Sequence, residues 1–203
     1  FWPASRESLP KQFVDLTGSG KTLIQETFVR INKIIKTKNI FISTNEKYKN
    51  LVLTQIPKVN SNNLICEPLK RNTAPSILYA SLKINQINQK AKLIVLPSDH
   101  YIEKLNEFYK NVEHAFSVSK HNHLITFGVN PKFPSTNYGY IKVSNTRESF
   151  QKVLRFTEKP SMQLAENFLR SDMYFWNSGI FVWSTETILN AFEKLEPSMI
   201  KIF

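Results

Sequence analysis

Cysteine, long apolar runs and blocks of like charge are all scarce in this chain of 203 residues. Cys66 is the only cysteine, so an internal disulfide is excluded, and its place in the apolar run 63–66 favours a small core residue over a nucleophile. The longest apolar runs are far too short to cross a bilayer, and no signal peptide is recognisable. We therefore expect a soluble protein of a reducing, cytoplasmic compartment, without a membrane partner.

Basic residues outnumber acidic ones. The chain carries 27 Lys and Arg against 16 Asp and Glu, a formal net charge of +11. Such a balance can mark nucleic-acid binding, or it can suit small anionic substrates such as nucleoside triphosphates and sugar phosphates. Because acidic residues are interspersed among the basic ones, a solvated, lysine-rich surface accounts for most of the excess. Charge alone does not decide among these interpretations.

Short β-rich runs alternate with helical patterns, which is typical of a layered α/β domain. The predicted strands are 39–44, 63–66, 93–97, 124–129, 138–143, 153–158 and 174–183. Three apolar stripes at helical spacing predict buried helix faces that carry Ile24, Phe28, Ile31 and Ile35, then Ile77, Ala80, Ile84 and Ile87, then Leu105, Phe108, Val112 and Phe116. The first four strand–helix units favour a parallel sheet with right-handed crossovers, whereas 138–158 predicts a hairpin turning near Asn145. We expect a central mixed, mostly parallel sheet.

The segment 18–22 (GSGKT) resembles the end of a P-loop. A P-loop needs a further glycine five positions before Gly20, so that the backbone can wrap a phosphate, and that position is Asp15. We therefore favour a Gly/Ser turn that leads into a helix capped by Thr22 or Ser19. A P-loop kinase or ATPase is the weaker interpretation.

Two segments near predicted strand ends could bind anions or metal. In 70–75 (KRNTAP), Asn72 or Thr73 can cap the next helix, whose N–H groups favour anionic or polar ligand atoms; plain capping is the alternative. The run 93–100 is a buried strand that breaks at Pro97 and then presents Asp99. Ligands collect beyond the carboxyl ends of such strands, and a carboxylate there can hold Mg²⁺ against phosphate oxygens, although a turn or cap residue is equally compatible. His100 either orients Asp99 or packs.

Three later motifs could recognise a sugar phosphate. The segment 137–140 (NYGY) carries Gly139, which lets the backbone approach a ligand closely. The segment 156–160 (FTEKP) pairs an acceptor for sugar hydroxyls, Glu158, with a cation for phosphate, Lys159; an ordinary surface ion pair is the alternative. The segment 176–181 (WNSGIF) combines the Asn177 amide with a glycine, and a β-bulge is its alternative.

The order of these motifs is more informative than any one of them. Segments 1–3 (FWP), 10–13 (PKQF), 71–75 (RNTAP), 96–100 (LPSDH), 137–141 (NYGYI), 156–160 and 176–179 follow one another as in the sugar-1-phosphate nucleotidyltransferases. The chain resembles this family over residues 1–183, and its NTAP and WNSG motifs resemble the mannose-1-phosphate guanylyltransferases more than relatives that use glucose 1-phosphate or glucosamine 1-phosphate.

The resemblance implies a Rossmann-like nucleotidyltransferase domain that joins GTP to mannose 1-phosphate with Mg²⁺, giving GDP-mannose and pyrophosphate. It implies in-line attack of a sugar-phosphate oxygen on the α-phosphorus. The catalytic residues implied are Lys11, Asp99 and Lys159, with Asp99 as the metal ligand. Nucleotide binding is implied for Lys11, Arg71, Asn72, Thr73 and Ser98. Sugar-phosphate binding is implied for Gly139, Glu158, Lys159 and Asn177.

The resemblance also implies segments that this sequence lacks. A glycine-rich loop is expected ahead of Phe1 and a second metal-binding aspartate beyond Phe203, so we expect residues 1–203 to be a catalytic domain incomplete at both ends. A homodimer is compatible with the family, and nucleic acid is not an expected partner. The alternatives are a catalytically silent nucleotide-sugar-binding subunit, a nucleotidyltransferase for another sugar 1-phosphate, a glycosyltransferase and a nucleic-acid-binding module. A glycosyltransferase would normally show two closely spaced aspartates, and 98–100 supplies one.

Overall fold

A computed structural model of the chain describes residues 4–67, 72–119, 122–146 and 148–202. The chain divides into two compact units. The first unit comprises Phe1–Leu93, Pro97–Leu124 and Trp183–Phe203, and the second comprises Ile94–Leu96 and Ile125–Val182. Among the described residues, no helix combines the length and the apolar character that a membrane span needs.

The first unit is mainly helical and contains a small parallel sheet. In chain order its elements are α1 (Leu23–Ile31), β1 (Ile42–Asn45), α2 (Lys49–Gln55), β2 (Leu64–Glu67), α3 (Thr73–Ile87), α4 (Leu105–Val118), α6 (Thr185–Leu195) and α7 (Pro197–Ile200). β1 pairs in parallel with β2, with Ile42 opposite Leu64 and Asn45 opposite Glu67. The chain between these strands includes α2, as a parallel pair requires. The predicted parallel pairing is confirmed for the first two strands.

Local sequence signals set where the helices begin. Thr22 is the N-cap of α1, and its backbone N–H donates to Gln25 Oε1 at 2.9 Å. Ser184 caps α6, because its hydroxyl accepts from the backbone N–H of Thr187 at 3.0 Å. These contacts satisfy backbone groups that a helix end leaves without partners. The predicted turn that leads into a helix capped by Thr22 is confirmed.

The predicted helical stripes account for most of the first unit's core. Its buried apolar side chains include Leu23, Ile24, Phe28, Ile31, Val52, Leu78, Phe108, Val112, Ala115, Val118, Ile188 and Phe192. The prediction was wrong for the face of α3, whose buried residues are Leu78 and Ser81, whereas Ile87 is 69% exposed. Ile35 lies beyond the end of α1. Apolar residues surround α3 on more than one side, so their spacing did not identify the buried face.

The second unit is built on an antiparallel arrangement of strands. Its elements are β3 (Lys92–Val95, shared with the first unit), β4 (Ile125–Val129), β5 (Tyr140–Val143), β6 (Val153–Thr157), α5 (Met162–Leu169) and β7 (Tyr174–Ser184, whose last two residues belong to the first unit). The strand order is β3-β7-β5-β6, and β4 also pairs with β7. Tyr140, Ala165 and Phe168 form a core between sheet and helix, where the ring of Phe168 stacks on that of Tyr174 with centroids 4.0 Å apart.

The α/β class and the mixed strand directions are confirmed, and so is the hairpin formed by β5 and β6. Fewer neighbouring strands run parallel than the mostly parallel sheet predicted from the sequence would have. In the larger sheet, β4 and β5 both run antiparallel to β7, and β5 runs antiparallel to β6. β7 has 11 residues, long enough to pair with both neighbours over different stretches. Apolar runs predict strands, but they carry no information about strand direction.

Candidate functional site

Lys11 and Asp99, which lie far apart in the sequence, form an ion pair in the first unit. Lys11 Nζ lies 2.5 Å from Asp99 Oδ2, and the two side chains are 46% and 21% exposed. Lys11 begins a 3-10 helix (Lys11–Phe13) that is anchored by the buried Phe13 ring. Asp99 follows β3 in a turn that starts after Pro97, as the sequence predicted. The pair therefore presents a cation and a carboxylate together at an accessible position.

The imidazole of His100 lies beside this pair. Its Nε2 is 3.9 Å from Asp99 Oδ1. Partial burial lowers the pKa of His100, and the positive charges of Lys11 and Arg30 lower it further, while Asp99 acts in the opposite direction. His100 is therefore neutral at physiological pH, and Lys11 is the charged partner of Asp99.

The residues around Asp99 fit a magnesium ion only if the substrate contributes ligands. Within the described ranges, no three His, Cys, Asp or Glu side chains lie close enough together to hold a metal. Mg²⁺ commonly takes one or two carboxylates and completes its coordination with phosphate oxygens and water. The partly exposed carboxylate of Asp99 meets that requirement as a single protein ligand.

The predicted nucleotide residues at the start of α3 lie in exposed positions. Asn72 occupies the N-cap position with a φ of +67°, and its side chain makes no capping hydrogen bond to the helix. Thr73 is the first residue of α3. Arg71 lies outside the described residues. Because the Asn72 side chain does not satisfy the N–H groups of the first turn, these groups can donate to a ligand oxygen.

Gly139, Glu158 and Asn177 come together in the second unit. The backbone N–H of Asn177 donates to the Gly139 carbonyl at 2.7 Å. A Cβ atom on Gly139 would lie only 2.6 Å from Glu158 Oε2 and 3.6 Å from Asn177 Cβ. Gly139 thus leaves the space that the Glu158 carboxylate occupies, which no other residue type would.

Hydrogen bonds to its oxygen fix the orientation of the Asn177 side-chain amide. Asn177 Oδ1 accepts from the backbone N–H of Gly179 at 3.1 Å. The Thr126 hydroxyl shares its single proton between Asn177 Oδ1 at 3.3 Å and the Ile180 carbonyl at 3.1 Å. Because a backbone N–H can only donate, the atom that faces Gly179 is the oxygen, which leaves the Nδ2 group to donate elsewhere. Thr126 was not predicted from sequence. Its only signal was its place in β4, the strand that pairs with the 176–181 motif.

A bulge in β7 accompanies this arrangement, as the alternative interpretation of 176–181 predicted. Thr126 lies opposite Phe181 and Gly128 opposite Asn177, so three residues of β7 face one residue of β4. Gly179 has a φ of +67°, a conformation that glycine adopts without strain. The bulge in β7 therefore lies within the candidate site.

Lys159 is exposed and has a φ of +44°, in the left-handed region that few non-glycine residues adopt. The ordinary ion pair between Glu158 and Lys159, the alternative for this motif, is not formed. Within the described parts of the chain, neither side chain has an oppositely charged group within 4.0 Å. Both charges therefore remain available to a ligand.

The P-loop-like segment contains an anion of its own. Asp15 Oδ1 accepts from the backbone N–H groups of Thr17, Gly18 and Ser19 at 3.2, 2.8 and 3.2 Å, and Oδ2 accepts from that of Gly20 at 2.8 Å. These are the kind of groups that cradle phosphate in a P-loop. Because a carboxylate of the chain already occupies them, the structure supports the turn and not the P-loop.

Two further residues near Asp99 escaped the sequence analysis. Thr27 and Arg30 of α1 hydrogen-bond to the carbonyl oxygens of Ser98 and His100. Their signal in the sequence was a threonine and an arginine three positions apart on the face of α1 that carries the apolar stripe.

Comparisons with known proteins agree over the whole chain. A curated protein of Escherichia coli named mannose-1-phosphate guanylyltransferase is 36% identical over 210 residues, covering 99% of this chain and 45% of that protein. A structure described as a mannose-1-phosphate geranyltransferase from Thermus thermophilus has a TM-score of 0.90 at 27% identity, covering 98% of this chain and 58% of that one. A structure described as a mannose-6-phosphate isomerase from Helicobacter pylori has a TM-score of 0.84 at 32% identity, covering 97% and 74%.

The similarity has a defined extent. The chain spans less than half the length of the curated relatives it matches. A family profile described as Nucleotidyl transferase, in contrast, matches all of residues 1–203. The motifs follow the order expected for the family, and the α/β fold contains both parallel and antiparallel strands. Together with the profile match, these observations show that this chain belongs to the nucleotidyl transferase family.

Proposed function

We propose that this chain forms the catalytic core of an enzyme that transfers GMP from GTP to mannose 1-phosphate, giving GDP-mannose and pyrophosphate. The observation that carries the proposal is the Lys11–Asp99 ion pair, because it joins a cation suited to phosphate with a carboxylate suited to a divalent metal. The names of relatives at 36% and 35% identity support the choice of GTP and mannose 1-phosphate.

In the first unit, we assign the nucleotide to three elements. Lys11 contacts the triphosphate, and Ser98 lies beside Asp99 in the turn after β3. Asn72 and Thr73 contact the guanosine at the start of α3, where an uncapped first turn offers backbone donors. Arg71, the preceding residue in the sequence, is assigned to the guanosine as well.

Asp99 would hold Mg²⁺ together with phosphate oxygens and water, and the ion, when bound, would neutralise charge on the phosphates. Transfer by in-line attack requires no covalent intermediate with the protein, so these side chains act by positioning and by charge. Lys11 would hold the phosphates with its ammonium group, which leaves the Asp99 carboxylate as the metal ligand. Removal of divalent cations with a chelator is expected to abolish turnover.

In the second unit, we assign the mannose ring to Gly139, Glu158 and Asn177. The Glu158 carboxylate accepts hydrogen bonds from sugar hydroxyls, and the Asn177 Nδ2 group donates to a ring or hydroxyl oxygen, since its Oδ1 is already engaged. Lys159 binds the sugar phosphate, because its charge is not neutralised by Glu158.

Pyrophosphate release by the full-length protein, measured across a matrix of nucleoside triphosphates and sugar 1-phosphates, tests this function. We expect turnover with GTP and mannose 1-phosphate in Mg²⁺ and much slower turnover with other pairs. A different preferred sugar would keep the reaction class and change the substrate. Binding of GDP-mannose without turnover would instead favour a silent nucleotide-sugar-binding subunit. A cytoplasmic location, a homodimer and residues 1–203 as a single catalytic domain stay predictions.

A further inference from the structure

Helix α1 presents a buried polar pair to the turn that carries Asp99. Thr27 and Arg30 lie three residues apart, on one face of the helix, and are 8% and 6% exposed. The Arg30 Nη2 group donates to the Thr27 hydroxyl at 2.8 Å, so the two side chains form one unit. This Thr27–Arg30 pair belongs to no motif that the resemblance identified.

The pair engages the backbone on both sides of Asp99. The Thr27 hydroxyl donates to the Ser98 carbonyl at 3.4 Å, and Arg30 Nη2 donates to the His100 carbonyl at 3.1 Å. Two contacts that flank a residue restrict the rotation of its peptide units. The direction of the Asp99 side chain, which points to Lys11, is therefore coupled to α1.

Fold stability alone gives a poor account of Arg30. Among the described residues, no carboxylate lies within ion-pair distance of it, and its Nε group is buried without a hydrogen-bond partner. Its guanidinium lies over the Phe108 ring at 5.9 Å, and the Tyr109 hydroxyl donates to the Arg30 carbonyl at 3.2 Å. Because a buried charge is costly to desolvate, the cost of burying the guanidinium offsets much of the stabilisation that these contacts give.

We propose that Thr27 and Arg30 are positioning residues that hold the 98–100 turn so that the Asp99 carboxylate is ready to bind the divalent cation of the nucleotidyl transfer. The proposal rests on the proposed function for its kinetic consequence, but not for its structural one. Residues that orient a metal ligand typically change metal affinity or activity by about 10- to 100-fold when they are removed.

The test uses the full-length protein with Arg30→Met, Arg30→Lys and Thr27→Val. Arg170→Met, at an exposed arginine after α5, is the matched control. For Arg30→Met we expect a melting temperature close to the wild-type value, a turnover number lower by about tenfold or more, and a severalfold higher Mg²⁺ concentration at half-maximal rate. The KM for mannose 1-phosphate should change less than about twofold, because general damage would alter it too. Arg30→Lys should recover part of the loss, since an ammonium group can still reach one carbonyl.

Hydrogen–deuterium exchange of the metal-free protein supplies a readout that does not depend on activity. We expect faster exchange at residues 98–101 in Arg30→Met and Thr27→Val than in the wild type, and no change in Arg170→Met. If wild-type protein shows no transfer at all, the proposed function fails and this exchange experiment still tests the positioning. If Arg30→Met keeps the wild-type Mg²⁺ dependence and the wild-type exchange at 98–101, the positioning role is overturned.

Discussion

At the scale of single residues, two glycines of the second unit meet different neighbours. A Cβ on Gly139 would contact the carboxylate end of Glu158, which can swing away. A Cβ on Gly128 would lie 2.9 Å from Phe175 Cβ and 3.2 Å from Ile141 Cδ1. Phe175 Cβ is tied to its backbone and cannot move by itself. Substitution by alanine should therefore impair substrate use at Gly139 and lower stability at Gly128.

Gly139→Ala should weaken use of mannose 1-phosphate while the protein stays folded. The new methyl group displaces the Glu158 carboxylate, and loss of a hydrogen bond to a charged acceptor should raise the KM for mannose 1-phosphate by roughly tenfold or more. The KM for GTP and the melting temperature should stay near wild type. Steady-state kinetics with each substrate varied in turn, together with thermal melting, measure these quantities.

Gly128→Ala is the matched control for this experiment. Overpacking against Phe175 should destabilise the protein by roughly 1–3 kcal/mol and lower its melting temperature. An unchanged KM for mannose 1-phosphate in folded Gly139→Ala would remove Glu158 from the sugar site.

Substitutions of Lys159 and Lys11 should each weaken the use of a different substrate. Lys159→Ala removes a charge-assisted contact to the sugar phosphate, worth roughly 1.5–3 kcal/mol, so mannose 1-phosphate should bind about ten- to a hundredfold more weakly. Lys11→Ala should harm the use of GTP more than the use of the sugar phosphate. Kinetics of both variants, with thermal melting to show that each is folded, test the contrast. Loss of GTP affinity in Lys159→Ala, with mannose 1-phosphate unaffected, would reverse the proposed orientation.

At the scale of the elements, the 15–22 loop shows how a phosphate-like motif can be structural. Its backbone N–H groups converge on Asp15, and the Thr17 and Ser19 hydroxyls both donate to Glu26 Oε1, at 2.9 and 2.6 Å. The loop is thus held by two carboxylates, one of which belongs to α1. We expect Lys21→Ala to leave the affinity for GTP unchanged, as measured by calorimetry, whereas a P-loop lysine would be essential.

The Asp15 carboxylate should make this loop sensitive to acid. Loss of solvation acts to raise the pKa of Asp15, but the backbone hydrogen bonds from Gly20, Gly18, Ser19 and Thr17 together outweigh it, and the pKa is lowered from its ordinary value of 3.8. A lowered folded pKa means that the stabilisation is present above pH 3.8 and is lost as the pH falls through the folded value.

Asp15→Asn should therefore lower the melting temperature near neutral pH and lose that effect in acid. The difference from wild type should shrink as the pH falls below 3.8, because the wild-type side chain then becomes uncharged as well. Asp172→Asn, at an exposed aspartate in the turn before β7, is the matched control for removal of a surface carboxylate. A difference between Asp15→Asn and wild type that is the same at every pH would assign its effect to shape instead of charge.

Elements were predictable from the sequence where their signal is local. All seven predicted strands have counterparts, although β1 begins at Ile42 because the 3-10 turn Thr37–Asn39 precedes it. The face of α3 was not predictable, since Leu78 and Ser81 are buried in a helix with apolar residues on several sides. The direction of the strands in the larger sheet was not predictable from the sequence either. It depends on which strands become neighbours of β7.

The residues of the candidate site also fall into a group that the sequence predicted and a group that it did not. The motifs supplied Lys11, Asp99, Gly139, Glu158 and Asn177, whose side chains or backbone are suited to ligands by type. Thr27, Arg30 and Thr126 were missed, because each acts on another residue that is distant in sequence. Such contacts carry no recognisable residue pattern, so they become visible only when the chain is folded.

At the scale of the whole molecule, the formal charge of +11 makes a distinct prediction. A dispersed positive charge attracts any polyanion at low ionic strength, and this attraction is screened over about 8 Å in physiological salt. We expect residues 1–203 to bind a short DNA duplex weakly, without sequence preference, and only at low salt. Fluorescence anisotropy in a salt titration, with a scrambled duplex as control, measures this. Tight binding that persists at physiological salt would revive the nucleic-acid-binding alternative.

The bulge in β7 limits how the gene can change length at this point. Three β7 residues stand where β4 has one, an excess of two, so the alternation of side chains between sheet faces is the same before and after the bulge. Deleting one codon from 178–180 would leave two β7 residues opposite one residue of β4, which is the count of an ordinary bulge, so Phe181 could keep its partner Thr126. Deleting two would restore an unbroken ladder but remove Gly179, whose N–H holds the Asn177 amide. Changes of length that keep Gly179 should therefore be tolerated better than changes that remove it.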